Sequence, residues 1–471
     1  MQLTFWGAAQ TVTGSLHSLT TESGTYLLDC GLYQGRRQQA FEINSRFPFS
    51  PNSIRSVVLS HAHLDHSGNL PGLVKQGFAG SIHSTPATAD LCQYMLADSA
   101  HLQEKDADFM LKRKARRQAI GIADDSQPAP ALYTVADALQ TMKQFATTPY
   151  HSELKLDETL SFQFQRAGHI LGSAVTLLTH STNGKSVKLL FSGDLGRPGS
   201  AILAEREPAP QADYLILEST YGDRLHTGPV ESEDRLANLI RQTAQRGGHV
   251  VVPAFAVGRT QQLVLLLHNL VQRNALPQIP IFVDSPLAVD VTKVFERHLD
   301  ELGTDAGTYI KAGLDPFGFR QLRYLHEAQE SKTLNDLRVP FVVISPSGMC
   351  EGGRVLHHLK NGVGNPRNLI LITGYQAANT LGQKIADRQP EVRIFGEVMA
   401  LRAQVETLNE LSAHADQHEL IDWVRPIAPK LKTIFLVHGE GDAQTALARL
   451  LEQELKVKVR VPKRGDTIEL T

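Results

Sequence analysis

The sequence predicts an α/β protein with at least two domains. Short apolar strands separated by Gly-rich turns fill the first sixty residues, and strand signals resume between residues 160 and 218. From residue 221 onward, continuous apolar strands alternate with helical stretches. This alternation is typical of a parallel sheet covered by helices. The length of 471 residues exceeds what one hydrophobic core usually holds, so we expect more than one domain.

Composition narrows the class of protein. Hydrophobic residues make up 42% of the chain and the formal net charge is −2, so any nucleic acid would have to bind in a local groove. Cys30, Cys92 and Cys350 are widely spaced, which argues against a disulfide framework or a thiolate zinc site. The N-terminus does not resemble a signal peptide, and no apolar run approaches the roughly 18 residues of a membrane span. We therefore expect a cytoplasmic protein without membrane contact.

In the N-terminal half, apolar runs bounded by Gly, Pro and polar residues predict strands, and longer amphipathic stretches predict helices. Strands are expected at 3–6, 16–20, 26–28, 54–59, 80–83, 160–166, 174–179, 187–191 and 214–218. Helices are expected at 69–76 and from Pro86 to about residue 118, where the helix ends in a basic run. Residues 121–130 are rich in Asp, Pro and Ala and are predicted to form a loop.

The C-terminal half is predicted to alternate between the two element types. Helices are expected at 231–245, 260–271, 419–425 and 442–454, and strands at 249–253, 279–284, 341–345, 369–373 and 433–437. The strands are continuous apolar runs, which is the pattern of strands buried on both faces.

A cluster of potential metal ligands directly follows the strand at 54–59. Within six residues it contains His61, His63, Asp65 and His66. His61 and His63 lie two residues apart, so an extended backbone places them on the same face. Asp65 and His66 follow where the chain turns and can reach a second ion.

Three further residues can complete two cation sites: His169, Asp194 and His438. Each follows a predicted strand and is flanked by Gly, which lets the backbone turn sharply next to an ion. Taken singly, each is more often an ordinary core or loop residue. Together with the first cluster they give five His and two Asp, and mostly nitrogen ligands favour Zn²⁺ over Mg²⁺.

This set of ligands resembles that of the metallo-β-lactamase fold. The resemblance implies that His61, His63 and His169 hold one zinc ion, that Asp65, His66 and His438 hold the other, and that Asp194 bridges the two. Asp29, at the end of an early strand, is similar to the first motif of the family and is expected to support the site from behind. The fold alone serves lactamases, thioesterases and nucleases, so it does not determine the substrate.

Additional motifs resemble those of the β-CASP nucleases, and they span nearly the whole chain. They are Leu-Glu-Ser-Thr-Tyr-Gly at 217–222, Pro-Ala-Phe-Ala-Val-Gly-Arg-Thr-Gln at 253–261, Ser-Gly-Met-Cys-Glu-Gly-Gly-Arg at 347–354, Gly-Tyr-Gln-Ala at 374–377, Leu-Ser-Ala-His-Ala-Asp at 411–416 and Val-His-Gly at 437–439. The motifs resemble those of compact prokaryotic homologues of the pre-mRNA 3′-end-processing endonuclease. The implied fold is an αββα sandwich formed by residues 1–220 and 406–471, with an inserted β-CASP α/β domain at 221–405.

The resemblance implies a zinc-dependent ribonuclease, acting in RNA processing or decay, that cuts single-stranded RNA to leave 5′-phosphate and 3′-hydroxyl ends. His438 favours RNA, because DNA-repair members tend to carry Val at this position. Asp65 and Asp194 would orient an attacking water that the zinc ions activate. His414 would protonate the leaving oxygen, with Glu218 behind it to raise its pKa. The sequence does not decide whether a 5′-to-3′ exonuclease activity accompanies internal cuts.

Substrate phosphates are expected to contact Arg259 and Arg354, which lie in Gly-rich turns, and Ser347 and Gly348 in a similar loop. Either arginine taken alone is more often structural. Three alternatives stay open: a DNA nuclease of the same fold, a metallo-hydrolase of small esters, and an inactive RNA-binding scaffold subunit. A homodimer is compatible with the sequence, which does not determine the oligomeric state.

Overall fold

The computed structural model describes residues 1–35, 37–119, 129–226, 229–374, 376, 379–408 and 412–471. The described residues form two compact units. The first comprises Met1–Pro198, Glu205–Arg224 and His414–Thr471, and the second comprises Gly199–Ala204 and Leu225–Ala413. The loop expected at 121–130 lies, apart from its last two residues, outside the described residues.

The strands in chain order are β1 (Gln2–Phe5), β2 (His17–Thr21), β3 (Gly24–Leu28), β4 (Ile54–Val58), β5 (Ser81–Ser84), β6 (Phe145–Thr147), β7 (Glu153–Lys155), β8 (Leu160–Arg166), β9 (Ala174–Thr182), β10 (Lys185–Phe191), β11 (Tyr214–Glu218), β12 (Val250–Pro253), β13 (Ile281–Asp284), β14 (Leu322–Leu325), β15 (Val342–Ser345), β16 (Leu369–Ile372), β17 (Glu391–Ile394), β18 (Glu397–Ala400), β19 (Gln404–Thr407), β20 (Thr433–Val437), β21 (Val459–Arg460) and β22 (Thr467–Glu469).

The helices in chain order are α1 (Arg37–Asn44), α2 (Leu64–Ser67), α3 (Leu70–Lys75), α4 (Pro86–Ala119), α5 (Val135–Met142), α6 (Pro229–Gln245), α7 (Arg259–Gln272), α8 (Pro286–Arg297), α9 (Thr304–Lys311), α10 (Ala328–Thr333), α11 (Val355–Gly362), α12 (Leu381–Ala386), α13 (Gln417–Val424) and α14 (Gly441–Leu455). Among the residues described, no helix combines the length and the apolar character that crossing a membrane requires.

The first unit contains two mixed sheets of seven strands. Their strand orders are β22-β1-β2-β3-β4-β5-β6 and β21-β20-β11-β10-β9-β8-β7. Apolar residues of both sheets, such as Phe5, Phe162 and Phe191, form one shared core, so the sheets pack face to face. The outer face of the second sheet packs against apolar residues of α13 and α14, including Trp423 and Leu447. This is the predicted αββα sandwich.

Strands in the middle of the second sheet are buried on both faces. All five residues of β11 and all five of β20 are buried, since one face meets the other sheet and the opposite face meets helices. By contrast, β8 alternates between buried and partly exposed residues along most of its length. This difference explains why β11 and β20 are continuous apolar runs in the sequence.

The second unit contains a six-stranded parallel sheet in the order β14-β13-β15-β12-β16-β19. The parallel sheet predicted from the strand-helix alternation is therefore confirmed. The two edge strands of this sheet, β14 and β19, were not predicted from the sequence. Their sequences, Leu-Arg-Tyr-Leu and Gln-Val-Glu-Thr, are half polar because an edge strand is less completely covered.

The sheets of the first unit direct several strand ends to one edge. β10, β11 and β20 are neighbouring parallel strands, so their carboxyl ends meet at the same edge of the sheet. Asp194, Glu218 and His438 lie at these ends. In the other sheet, β3 and β4 are also parallel and lead to Asp29 and to the first cluster of ligands.

Candidate metal centre

One cluster of potential ligand atoms is formed by His61, His63, His169 and Asp194. His63 Nδ1 lies 3.2 Å from His61 Nε2 and 3.1 Å from His169 Nε2. Asp194 Oδ2 lies 3.5 Å from His61 Nε2 and 3.6 Å from His169 Nε2. Three ring nitrogens and one carboxylate oxygen therefore converge on one point.

A second cluster is formed by Asp65, His66 and His438. His438 Nε2 lies 3.2 Å from His66 Nε2 and 3.3 Å from Asp65 Oδ2. The other oxygen of Asp194, Oδ1, lies 3.3 Å from His66 Nε2. The two carboxylate oxygens of Asp194 thus face different clusters, which is the arrangement of a bridging ligand.

The spacing of these atoms fits zinc. Zinc–nitrogen bonds of 2.0–2.1 Å in a tetrahedron separate neighbouring ligand atoms by about 3.3–3.4 Å. The separations given above run from 3.1 to 3.6 Å, and all ligand atoms of each cluster lie within 4.8 Å of one another. Asp194 Oδ1 is buried and has no hydrogen-bond partner among the described residues, so it is an orphaned acceptor that a cation would satisfy.

Burial favours the neutral, metal-binding form of three histidines. Desolvation, reinforced by neighbouring histidines, lowers the pKa of His61 and of His169 well below the usual value. Desolvation likewise lowers the pKa of His63 to about 4. Burial also acts against the charged form of His66, but Asp194 and Asp29 outweigh it and raise the pKa of His66 well above the usual value. Binding of a cation at His66 would therefore be coupled to the loss of a proton from its imidazole.

Asp29 holds the first group of ligands from behind. This fully buried carboxylate accepts hydrogen bonds from the backbone N–H of Ser60 at 2.8 Å, from the hydroxyls of Ser15 and Ser60 at 3.0 Å, and from His66 Nδ1 at 2.6 Å. Because Ser60 Oγ donates to Asp29, it is left to accept from His61 Nδ1, 3.0 Å away. Both histidines are thereby held with Nε2 directed at the cluster.

Thr220 orients His438 in the way that Asp29 and Ser60 orient His66 and His61. Its hydroxyl donates to Glu218 Oε2 at 2.7 Å and lies 3.1 Å from His438 Nδ1. The hydroxyl proton is directed to the carboxylate, so the oxygen accepts from His438 Nδ1–H and leaves Nε2 to bind a metal. The roles of Ser60 and Thr220 were not predicted from the sequence. Their positions could have indicated these roles, because Ser60 immediately precedes His61 and Thr220 follows Glu218 by two residues.

The backbone beside the ligands adopts left-handed conformations. Gly168 and Gly193 precede His169 and Asp194 with φ of 70° and 53°. At the third site the expectation of a turning Gly was wrong, because His438 itself has φ of 51°. Gly439 is instead needed for close approach, since a Cβ there would lie 2.4 Å from Ser219 Oγ.

His414 and Glu218 lie next to the first cluster. His414 Nδ1 is 3.1 Å from Glu218 Oε2 and 4.0 Å from Asp194 Oδ2. Burial acts against a charged imidazole, but Glu218 and Asp194 raise the pKa of His414 to about 9. Glu218 is fully buried, and its position is fixed by hydrogen bonds from Leu195 N and Thr220 Oγ1.

Three family models match the chain. The model of the metallo-beta-lactamase superfamily matches residues 18–254, which is about half of the chain. The Beta-Casp domain matches residues 260–385, and the Zn-dependent metallo-hydrolase RNA specificity domain matches residues 398–462.

Curated relatives match over nearly the full length. The protein named Ribonuclease TTHA0252 from Thermus thermophilus is 36% identical over 451 residues, which are 96% of each chain. The chain belongs to the β-CASP ribonuclease family of the metallo-β-lactamase superfamily.

Two further relatives are consistent with this assignment. An RNase J-like protein of Methanocaldococcus jannaschii is 30% identical over 99% of both chains. The transcription termination factor FttA of Methanosarcina mazei is 28% identical, over 100% of this chain and 72% of its own. A crystal structure of a protein of unknown function from Enterococcus faecalis V583 has the same fold, with a TM-score of 0.53, 11% identity and coverage of 99% of both chains. The predicted family, its fold and its class of metal-dependent hydrolase are confirmed.

The predicted substrate-binding residues of this β-CASP protein all lie in the second unit. Arg259 begins α7 after β12, and Ser347, Gly348 and Arg354 follow β15. Since β12 and β15 are parallel neighbours, all four lie beyond the carboxyl edge of the sheet, where α/β proteins commonly bind ligands.

Both arginines already bind other groups of the protein. Arg259 Nη1 donates to Gln262 Oε1 at 2.6 Å. Arg354 donates to Asp284 Oδ1 at 2.7 Å, to the carbonyl of Leu325 at 3.2 Å and to that of His326 at 2.7 Å. Arg354 therefore has a structural role that the sequence did not reveal, and its contact with phosphate stays a prediction.

Proposed function

We propose that this β-CASP protein cuts phosphodiester bonds within single-stranded RNA and that it uses two zinc ions to do so. The observation that carries the proposal is Asp194, whose two oxygens face two separate sets of three ligands. Two cations so placed suit in-line displacement at a phosphate. RNA as the substrate is supported by the names of the Thermus and Methanocaldococcus relatives and by the matched RNA specificity domain.

The residues that would hold the zinc ions divide between the two clusters. His61, His63 and His169 fit one ion, Asp65, His66 and His438 fit the other, and Asp194 fits between them. When bound, the two ions would lower the pKa of an attacking water and neutralise charge on the phosphate.

Protein side chains supply the proton transfers. Asp65 and Asp194 are positioned to accept the proton of the water that attacks phosphorus. As the bond from phosphorus to the 3′-oxygen breaks, His414 donates a proton to that oxygen, which leaves a 3′-hydroxyl and a 5′-phosphate. Glu218 holds His414 through Nδ1, so Nε2, on the opposite side of the ring, is the atom that donates.

The direct test is cleavage of internally labelled and end-labelled single-stranded RNA by zinc-loaded protein. Internal fragments are expected from the wild type and not from Asp194→Ala, which removes one ligand from each zinc site. Asp422→Ala is the matched control, because Asp422 is an exposed residue of the same unit that, among the described residues, pairs with Arg425 at the surface. Full activity in Asp194→Ala would refute the assignment.

The same assay separates the alternatives. Mononucleotides released only from the 5′ end would indicate an exonuclease. Preferential cutting of DNA of the same sequence, or hydrolysis of a thioester but not RNA, would each replace RNA as the substrate. Zinc bound at both sites without any hydrolysis would indicate a scaffold subunit.

A further inference from the structure

A cavity of about 280 Å³ in the first unit is not used by the proposed chemistry. Its walls include the loop between β1 and β2, the segment that follows β3, and part of α1. Three aromatic residues and two arginines line it: Trp6, Tyr33, Phe47, Arg46 and Arg464. Among the described residues that line this cavity, none is Asp or Glu.

The cavity adjoins the second cluster of metal ligands through backbone hydrogen bonds. Ala8, in its wall, accepts a hydrogen bond from the backbone N–H of His438 at 2.7 Å. Ser15, which follows the wall residue Gly14, donates from its backbone N–H to the carbonyl of Asp65 at 2.7 Å. The wall of the cavity is thus joined to the backbone of two residues whose side chains belong to the second cluster, Asp65 and His438.

The aromatic side chains are held in place before any ligand binds. Trp6 Nε1 donates to Ser18 Oγ at 2.9 Å, and Arg464 Nε donates to the carbonyl of Trp6 at 3.0 Å. The ring of Phe49 lies 6.3 Å from that of Trp6 and 5.6 Å from that of Phe47. Prior ordering of this kind lowers the entropy that binding must overcome.

We propose that this cavity binds one nucleobase of the RNA strand, next to the phosphate that is cut. Aromatic rings stack on bases of any sequence, and arginines at an acid-free site favour the adjoining phosphates. The volume lies just below the roughly 300–1,000 Å³ typical of small-molecule pockets, which suits one base rather than two. The inference rests on the proposed function for the identity of the strand, but nucleotide binding in the cavity can be measured without any cleavage.

The binding test uses the fluorescence of tryptophan in zinc-loaded protein. The chain has two tryptophans, Trp6 and the core residue Trp423, so Trp423→Phe leaves Trp6 as the single reporter. Adenosine 5′-monophosphate is expected to quench this signal, and ribose 5-phosphate, which lacks the base, is expected not to. Equal effects of the two compounds, or none from either, would overturn the inference.

The kinetic test keeps the inference open to refutation if Trp423→Phe does not fold. In this test, the wild type and Phe47→Leu are each given single-stranded RNAs that lack the base at one position, and KM is measured for each RNA. Removing the base at one position next to the cut should raise KM about tenfold in the wild type and have little further effect in Phe47→Leu, whose KM is already raised. Phe109→Leu, which removes an exposed ring of α4 outside the cavity, is the matched control.

The outcomes distinguish the two proposals. If RNA is cut but no abasic position changes KM, the cavity proposal fails and the proposed function stands. If adenosine monophosphate quenches Trp6 but no RNA is cut, the proposed function fails and a nucleotide site in the cavity is supported.

Discussion

Asp284 gives the sharpest test of how the second unit is stabilised. Its fully buried carboxylate at the end of β13 accepts hydrogen bonds from Arg354 at 2.7 Å, from His358 at 2.6 Å and from Ser331 at 2.5 Å. Asp284→Ala would leave the guanidinium of Arg354 and the imidazole of His358 without their acidic partner. Removing one member of a buried ion pair typically costs about 3–5 kcal/mol, so we expect a loss of that size.

Hydrogen exchange followed by mass spectrometry can measure this loss within the second unit. A single free energy of unfolding for the whole chain is less suitable, because a chain of two units need not unfold in one step. Amides of β13 and β15 should exchange about 10²–10⁴-fold faster in Asp284→Ala, as a loss of 3–5 kcal/mol requires at about tenfold per 1.4 kcal/mol. Asp290→Ala is the control, since Asp290 pairs with Lys293 at the exposed surface of α8. A loss below about 1 kcal/mol, in the range of a surface pair, would refute the assignment of a buried network.

The same network predicts a dependence on pH. Burial alone would raise the pKa of Asp284, but hydrogen bonds from His358, Ser331 and Arg354 lower it below the usual value. A carboxyl with a lowered pKa stabilises the fold above the unfolded-state pKa of about 3.9, and this stabilisation is lost as the pH falls through the folded-state value. The difference in stability between the wild type and Asp284→Ala should therefore begin to shrink below about pH 4 and should shrink further as the pH falls through the folded-state pKa. A constant difference down to pH 2 would contradict the linkage.

Three other predictions concern the metal centre. Thr220→Val should weaken zinc binding at the His438 site about 10–100-fold, because His438 Nδ1 loses the hydroxyl that accepts its hydrogen bond. Thr220→Ser keeps the hydroxyl and should bind zinc normally. Competition with a chromophoric chelator measures both affinities. His414→Ala should slow RNA cleavage by roughly 10²–10⁴ with zinc content unchanged, and equal loss of zinc would exclude the role of proton donor. Gly193→Ala should reduce the zinc content measured by atomic absorption, because the added Cβ would lie 2.7 Å from Ser60 Cβ. Gly199→Ala is the control, because Gly199 also has a positive φ but no atom of the described residues lies within 4 Å of an added Cβ. This variant should retain zinc despite a backbone strain of about 1 kcal/mol.

The cluster of potential metal ligands could be recognised in the sequence because its chemistry is unusual. An apolar strand that ends in three histidines and an aspartate within six residues has few structural explanations. The parallel sheet of the second unit could also be predicted, since β12, β13, β15 and β16 are continuous apolar runs. In both cases, the residues that determine the feature lie close together in the sequence.

Interactions between residues far apart in the sequence could not be predicted in this way. Arg354 lies in a Gly-rich turn and was assigned to substrate phosphates, but its acidic partner Asp284 is 70 residues earlier. Nothing in the local sequence of either residue indicates the other. Thr220 likewise contacts His438 across 218 residues. The tautomers of the histidines in the two clusters depend on such contacts, so they can be assigned only from the folded chain.

Backbone strain links the fold of the first unit to its chemistry. Asp29 and His438 end parallel strands with φ of 61° and 51°, conformations that cost an L-residue roughly 1–2 kcal/mol and that glycine would adopt freely. Glycine at either position would relieve the strain but would remove the carboxylate that holds His66 or the imidazole that completes the second cluster. Asp and His are among the residues that tolerate this conformation best. The strain is therefore located where the proposed metal centre needs a side chain, and the hydrogen bonds around Asp29 and His438 maintain it.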